Sequence, residues 1–346
     1  MTVTAIFLSA MQGCSSLSYY TQSLNGHISL VSAAKPVDKL LNDPSREQGL
    51  REQLKQARDI RQFAIDELAL PDNESYRSYV DTGREYVTWA VFAAPEFSLA
   101  VHTWCFPAVG CVPYRGYFSE KAAVKFAQGV RTQGFDVYVG GVPAYSTLGW
   151  FDDPLLNTMF RRGETYLAGV VFHELSHQRV YVQDDSEFNE AFAVAVEQSG
   201  TTAWLRHRSD RAALRRYNAM QKRNDDFLAL IAETREELAI IYSSKDSDAQ
   251  KRVAKAAAIE RLRARYRRMK EGRWNGYDGY DHWFSEPINN AKLATVSVYN
   301  DLLPAFSNLL VICSGDYERF YKAVERIGKL DKQQRLQALN GANRCE

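Results

Sequence analysis

The chain has 346 residues, enough for one large domain or two ordinary ones, and its 45% hydrophobic and 12% aromatic content is typical of a packed globular protein. Basic residues (43) nearly balance acidic residues (42), so no net field directs the whole chain to nucleic acid or to an anionic membrane surface. Nucleic acid is therefore not an expected partner, and any electrostatic argument has to be local.

The N-terminal segment has an apolar run, Val3 to Met11, followed by small residues and Cys14. This layout is typical of a bacterial lipoprotein signal over residues 1–14, in which the cysteine receives the lipid, and the run is too short to span a bilayer as a helix. Ser15 is not the aspartate that retains lipoproteins at the inner membrane, so we expect a periplasmic protein anchored to the outer membrane. The alternative is a buried N-terminal strand with a free cysteine.

The next elements are predicted from hydrophobic periodicity. Apolar residues at three- and four-residue intervals predict helices over residues 26–41 and 45–68. Segments rich in aromatic and β-branched residues predict strands of a small sheet at 86–95, 97–106 and 134–150, with a helix over 119–134.

The rest of the chain, from Thr165 onward, is predicted to be almost wholly helical. Ser209 to Ile241 and Asp246 to Lys270 form two long charged segments that predict an antiparallel hairpin, an insertion over residues 207–271. The expected fold is a predominantly helical α+β protein, with one catalytic unit over 15–346 and a small sheet beside the helix described next.

The segment "HELSH" predicts a metal site on a helix. His173 and His177 lie one turn apart on one face and can direct two imidazoles at one ion. Glu174 lies on the flank of that face, where it can act as the base for a metal-bound water. The surrounding positions are apolar, and a polar face within such a helix is costly unless it is paired or metal-bound. One Zn²⁺ ion is the predicted cofactor, and the alternative is a surface helix with two ordinary histidines.

A catalytic zinc needs a third protein ligand and an open position. Glu190, in "SEFNEAFAVAVEQSG", is the favoured candidate. Glu197 lies seven residues later on the same helix face, where it can orient a ligand histidine or be the third ligand itself, and Glu187 is a more distant alternative.

"HELSH" followed by "NEAFA" resembles the gluzincin class of zinc peptidases, in which a short second helix brings an NE-type glutamate to the metal. The gap between the motifs is shorter than in the best-known members, and Val194 occupies the place of their aspartate four residues after the third ligand. "CSSLSYYTQSLNGH", "YSTLGWFDDPLLNTM" and "INNAKLATVSVYNDLLPAF" extend the resemblance to a family of bacterial lipoproteins described as predicted aminopeptidases, from Cys14 to about Tyr321. The resemblance implies a single-zinc periplasmic exopeptidase that acts on peptides.

The segment before the "HELSH" helix supplies candidates for substrate binding. Ser146, Thr147 and Gly149 are assigned to an edge strand that holds the substrate backbone, as gluzincins place one there, or else to an interior strand with a Gly-Trp turn. Asp152 and Asp153 are candidates for binding a substrate ammonium group, or else cap a helix before Pro154.

A donor for the oxyanion of the tetrahedral intermediate is expected from a later helix, as in gluzincins. Tyr299 fits by its order along the chain, and Tyr280 and His282 are its competitors. Asn289 and Asn290 either bind substrate backbone or cap the helix that follows them.

Four cysteines other than Cys14 suit an oxidising compartment. Cys105 with Cys111 and Cys313 with Cys345 is the favoured pairing among three possibilities, because the first pair would close a short loop containing Pro and Gly.

Three functions remain open at this point. The favoured one is a zinc aminopeptidase that uses direct attack by activated water. The alternatives are a zinc endopeptidase, which would lack the ammonium-binding carboxylate, and an envelope scaffold or chaperone that retains the metal. The sequence predicts no oligomeric state.

Overall fold

A computed structural model describes residues 4–106, 110–144, 146–147, 149–342 and 344–345, with side chains from residue 19 onward. The prediction of lipid at Cys14 falls on a side chain outside this description, as does Leu148 within the proposed edge strand. The helices are α1 Thr4–Ala33, α2 Val37–Leu41, α3 Gln48–Asp66, α4 Glu120–Arg131, α5 Glu164–Arg179, α6 Ser186–His207, α7 Arg211–Ser243, α8 Asp248–Glu271, α9 Asp281–Ser285, α10 Asn290–Asn300, α11 Leu303–Ile312, α12 Tyr317–Gly328 and α13 Lys332–Asn340.

The strands are short, and they are β1 Lys35–Pro36, β2 Ser78–Val80, β3 Thr88–Pro95, β4 Trp104–Phe106, β5 Gly110–Val112, β6 Tyr114–Tyr117, β7 Phe135–Val142 and β8 Leu155–Leu156. β3 is the centre of an antiparallel sheet with the order β6-β3-β7. A second small sheet has the order β1-β2-β8, and β4 pairs with β5 as a separate ribbon. The predominantly helical α+β class is therefore confirmed.

The main core is built around α5 and α6. Their fully buried aromatic and aliphatic residues pack with those of α3, α11 and α12 in one cluster, which includes Phe63, Phe172, Phe192, Phe306 and Phe320. α10 packs against α6 and, on its other side, against β3 and β7. The central helices are thus held on several sides, and α10 joins them to the sheet.

The long helices α7 and α8 pack against each other, and their bounds differ from the predicted ones by about two residues. Their apolar faces share a second cluster with Trp274, Phe284 and Leu293. The basic run of α8 is balanced by acidic residues of α7, since Arg261 pairs with Glu237. The prediction of a solvated face with internally balanced charge is confirmed for this pair.

Two sequence predictions about strands are wrong. The segment 97–106 forms a strand only at Trp104–Phe106, and the strand predicted over 134–150 ends at Val142. The structure forms disulfides between Cys105 and Cys111 and between Cys313 and Cys345, the two pairs that the sequence favoured. None of the described helices is both long enough and apolar enough to cross a membrane.

Candidate metal centre

α5 carries the first half of the site. It begins after Gly163, whose φ of +82° favours glycine, and it ends where Val180 takes an extended conformation. Leu167, Val171 and Leu175 are buried in the main core, which fixes the rotation of the helix about its axis. Its histidines consequently face α6 rather than solvent.

The connection from α5 to α6 is short and held by side chains. Asn189 accepts a hydrogen bond from the Val182 backbone nitrogen at 2.8 Å and donates one to the Val182 carbonyl at 2.7 Å. Asp185 caps α6 by accepting from the Phe188 nitrogen, and its other carboxylate oxygen accepts from the buried Arg335 at 2.9 Å. These bonds hold the start of α6 at Ser186, four residues before Glu190.

His173, His177 and Glu190 converge between the two helices. The Nε2 atoms of His173 and His177 lie 3.3 and 3.7 Å from Glu190 Oε2, and the candidate ligand atoms all lie within 4.8 Å of one another. Tetrahedral zinc with ligand bonds of about 2.1 Å separates its ligand atoms by about 3.4 Å. The spacing and the His-His-Glu donor set therefore fit one zinc ion.

Glu197 contacts the outer nitrogen of His173, since its Oε2 lies 3.0 Å from Nδ1. This contact orients the ring so that Nε2 points at Glu190, the arrangement that tunes metal-binding histidines. Nδ1 of His177 is buried and lacks a hydrogen-bond partner among the described residues. The structure thus makes Glu190 the third member of the cluster and gives Glu197 the outer position.

The charges of the cluster favour a cation. Burial lowers the pKa of His173, but hydrogen bonds to Glu190 and Glu197 outweigh it and raise that pKa well above the usual value. Burial raises the pKa of the Glu190 carboxyl, but the bonds and charges of the two histidines outweigh it and lower that pKa to about 2. Glu174 adds a further carboxylate at the site, and a divalent cation would neutralise this excess of negative charge.

Tyr299 lies near the carboxylates of Glu190 and Glu174. The charge of Glu190, followed by burial and the charge of Glu174, raises its pKa well above the usual value. Tyr114 of β6 approaches the same groups, since burial and then Glu190 raise the pKa of its hydroxyl. Both hydroxyls therefore keep their protons at neutral pH and can donate hydrogen bonds.

Tyr76 and Asp153 form a part of the site that sequence reasoning only half anticipated. The Tyr76 hydroxyl is buried without a hydrogen-bond partner in the described structure, and burial, Glu174 and Asp153 raise its pKa. Its backbone nitrogen donates to the Asp153 carbonyl at 2.7 Å, with Tyr76 at a φ of +64°. No sequence signal points to Tyr76, because its place in the site depends on an electrostatic interaction with Glu174, which is 98 residues away in the sequence.

Asp153 is buried, and burial raises its pKa to about 6 although hydrogen bonds from Thr147 and Ser146 oppose that shift. The Thr147 nitrogen and the Ser146 hydroxyl donate to its Oδ2 at 2.9 and 3.3 Å. Ser146 and Thr147 lie in a loop rather than a strand. Gly149 has a φ of +82° and lies close to the Gln178 side chain. The prediction of an edge strand at these residues is therefore wrong. Asp152 is exposed, and strand β8 follows Pro154, so the helix-capping alternative is wrong as well.

The other candidates lie elsewhere. The Glu187 side chain is 42% exposed and pairs with Lys332 at 3.6 Å. Tyr280 stacks on Phe227 in the hairpin cluster, and His282 is exposed.

The two asparagines before α10 have structural contacts. Asn289 caps α10 by accepting from the Lys292 nitrogen at 3.0 Å. Asn290 is fully buried and donates to the Pro95 and Glu96 carbonyls. The capping prediction is therefore confirmed for Asn289, whereas Asn290 is the first residue of α10 and holds the helix to the end of β3.

The described residues place two histidines and a glutamate where they could hold one metal ion. The chain belongs to the family described as "Putative aminopeptidase", whose model matches residues 18–339. The match covers most of the chain and supports peptidase activity in general. No curated protein and no solved structure is similar enough to count as a match.

Proposed function

We propose that the protein is a zinc-dependent aminopeptidase. The observation that carries the proposal is the convergence of His173, His177 and Glu190 next to Glu174, in a chain of an aminopeptidase family. Three protein ligands leave a position open for water or substrate, which distinguishes a catalytic zinc site from a closed structural one.

Each residue of the site has a role in this proposal. His173, His177 and Glu190 would hold the zinc, with Glu197 orienting the first ring. Bound zinc would supply Lewis acidity, polarising the scissile carbonyl and making water a better nucleophile. Glu174 accepts the proton of the attacking water and returns it to the leaving amine.

The developing oxyanion needs a hydrogen-bond donor besides the metal. Tyr299 is the donor we assign, because its raised pKa keeps the hydroxyl protonated. The peptide is attacked directly by water, and no covalent enzyme intermediate forms.

The exopeptidase part of the proposal rests on the carboxylates of the site. An aminopeptidase has to bind the free ammonium group of its substrate, and Asp153 is the carboxylate we assign to it. Its negative charge interacts with that of Glu174, so the two groups lie in one electrostatic site. An endopeptidase has no need of such a group.

We also propose that the protein is held at the outer membrane, on its periplasmic side, by lipid at Cys14. The support is the sequence layout around Cys14 and the two disulfides, which suit an oxidising compartment.

The test compares free and N-acetylated forms of one peptide, with and without a chelator. We expect cleavage of the free form alone, together with one zinc per chain by metal analysis. Glu174→Gln should lower kcat by a factor on the order of 10² or more, because the general base is removed. Glu187→Gln is the matched control, since it removes an exposed carboxylate of α6 that lies outside the cluster.

Three results would contradict parts of the proposal. Equal cleavage of both peptides would indicate an endopeptidase. Bound zinc without any cleavage would favour an envelope scaffold. Cleavage that survives complete removal of the metal would exclude the zinc mechanism.

A further inference from the structure

One face of α1 exposes a row of large apolar side chains. Tyr20, Leu24, Ile28 and Val31 have exposed fractions of 46%, 59%, 53% and 45%. Their spacing of four, four and three residues places them on one side of the helix. Isolated exposed apolar residues are ordinary, but four in register along one helix form a continuous strip.

The opposite face fixes α1 on the protein. Gln22 accepts a hydrogen bond from the Phe118 backbone nitrogen at 3.1 Å, and Gly26 lies directly against the Phe118 ring. Leu30 is buried in the main core. The helix therefore cannot turn its apolar strip inward without losing these contacts.

A turn beside α1 exposes two more aromatic residues. Trp150 and Phe151 have exposed fractions of 71% and 56%. Thr147 holds the turn, because its hydroxyl accepts from the Phe151 nitrogen and its carbonyl accepts from the Trp150 nitrogen, both at 3.1 Å. The Phe151 ring lies 4.5 Å from the ring of His27, which borders the strip on α1. The turn thus continues the apolar strip.

The chemistry around this surface favours lipid as its partner. Residues 1–34 contain no Asp, Glu, Lys or Arg, so the strip carries none of the charges that usually flank a protein–protein contact. Trp, Tyr and aliphatic side chains together suit the boundary between headgroups and acyl chains. Cys14, the proposed lipidation position, precedes Tyr20 by six residues, which is about 9 Å along a helix.

We propose that this surface rests on a lipid bilayer. We call it the apolar face, and it consists of Tyr20, Leu24, Ile28, Val31, Trp150 and Phe151. The apolar face supplies a contact with the bilayer that does not depend on the proposed lipid at Cys14. The contact is hydrophobic, so its strength should change little with ionic strength.

The apolar face is joined to the metal cluster through the turn. On the inner side of that turn, Gly149 approaches Gln178, the residue after His177. Asp153, at the end of the turn, is close enough to Glu174 for the two charges to interact. Bilayer contact would therefore fix how the catalytic site is oriented relative to the membrane.

The test measures binding of the full chain to vesicles of phosphatidylcholine, with Cys14→Ser in every variant so that no lipid is attached. Leu24→Asn with Ile28→Asn should lower the partition coefficient roughly 100-fold, about tenfold for each side chain that no longer enters the bilayer. Ile240→Asn with Val253→Asn is the matched control, because both residues are 72% exposed and lie on the hairpin. The control should bind as the parent chain does.

A second variant guards against misfolding of the first. Trp150→Ser with Phe151→Ser alters only the exposed turn and should also weaken vesicle binding at least tenfold. The proposal would be overturned if the Leu24 and Ile28 variant, the hairpin control and the chain that carries Cys14→Ser alone all bound vesicles equally. It would also be overturned by a finding that the strip substitutions leave vesicle binding intact and instead dissociate a dimer in lipid-free solution, because a second copy would then cover this face.

Discussion

Asn189 controls the position of Glu190 without contacting the metal cluster itself. Its side chain bridges both backbone polar groups of Val182, at 2.8 and 2.7 Å, and only 2% of the residue is exposed. Asn189→Ala removes both hydrogen bonds and frees the connection between α5 and α6. The next residue, Glu190, should then lose its fixed approach to the two histidines.

The expected effects follow from the two lost bonds. Each contributes about 1 kcal/mol, so the free energy of unfolding should fall by about 2 kcal/mol. Zinc affinity should fall roughly 10- to 100-fold, the range seen when groups that orient metal ligands are removed. kcat should fall in parallel at limiting zinc and recover in part when zinc is raised.

Zinc affinity is measured by competition with a chromogenic chelator, and stability by urea unfolding of the metal-free chain. Asn290→Ala is the matched control, because Asn290 is fully buried and donates to two backbone carbonyls at 3.0 and 2.9 Å. It should lose similar stability and keep its zinc affinity. If Asn189→Ala destabilises the fold but binds zinc as tightly as the control, the proposed positioning of Glu190 through Asn189 is wrong.

Three further changes test the surroundings of the cluster. Glu197→Ala removes the partner of His173 Nδ1 and should weaken zinc binding roughly tenfold or more, measured by the same competition, with Glu197→Gln closer to the parent. Tyr76→Phe deletes a buried hydroxyl without a described partner, so the free energy of unfolding measured in urea should rise by about 1 kcal/mol. Burial raises the pKa of Asp153 from 3.8 to about 6, so the folded chain binds this proton more tightly than the unfolded chain. The resulting stability is complete below about pH 4 and lost as the pH rises through about 6, about 3 kcal/mol at 1.4 kcal/mol per unit. Asp153→Asn should remove that pH dependence. If urea unfolding of the variant shows the same dependence on pH as the parent chain, Asp153 is not the group with the raised pKa.

The features that sequence predicted best are those encoded locally. The spacing of His173 and His177 follows from the helix repeat, and the hairpin helices follow from long periodic segments, so both were predictable. The segment 143–153 was not, because its Tyr, Thr, Trp and Phe residues suit a strand. The loop is held instead by long-range contacts, including a hydrogen bond that the Asp153 backbone nitrogen donates to the Ser75 hydroxyl at 3.3 Å.

Tyrosines illustrate a second limit of sequence reasoning. The chain has 19 of them, and only order along the chain favoured Tyr299. Tyr114 reaches the same site from β6 and Tyr76 from the turn before β2, and nothing in their local sequence distinguishes them from packing residues. Both hydroxyls interact with the charge of Glu174, and only the folded chain creates that proximity.

The outer contact of His173 lies at a different position from the one that a gluzincin-like arrangement would give. Such an arrangement would place an aspartate four residues after Glu190, where this chain has Val194, a residue packed against the main core. Positions four and seven residues after Glu190 lie on the same helix face, but the second is about 5 Å farther along the axis. Glu197, one methylene longer than aspartate, still lies 3.0 Å from Nδ1 of His173, while Glu190 meets Nε2 of the same ring at 3.3 Å. The His173 ring is thus held between two carboxylates of α6, one at each nitrogen. A shift of α6 along α5 would break at least one of these two contacts.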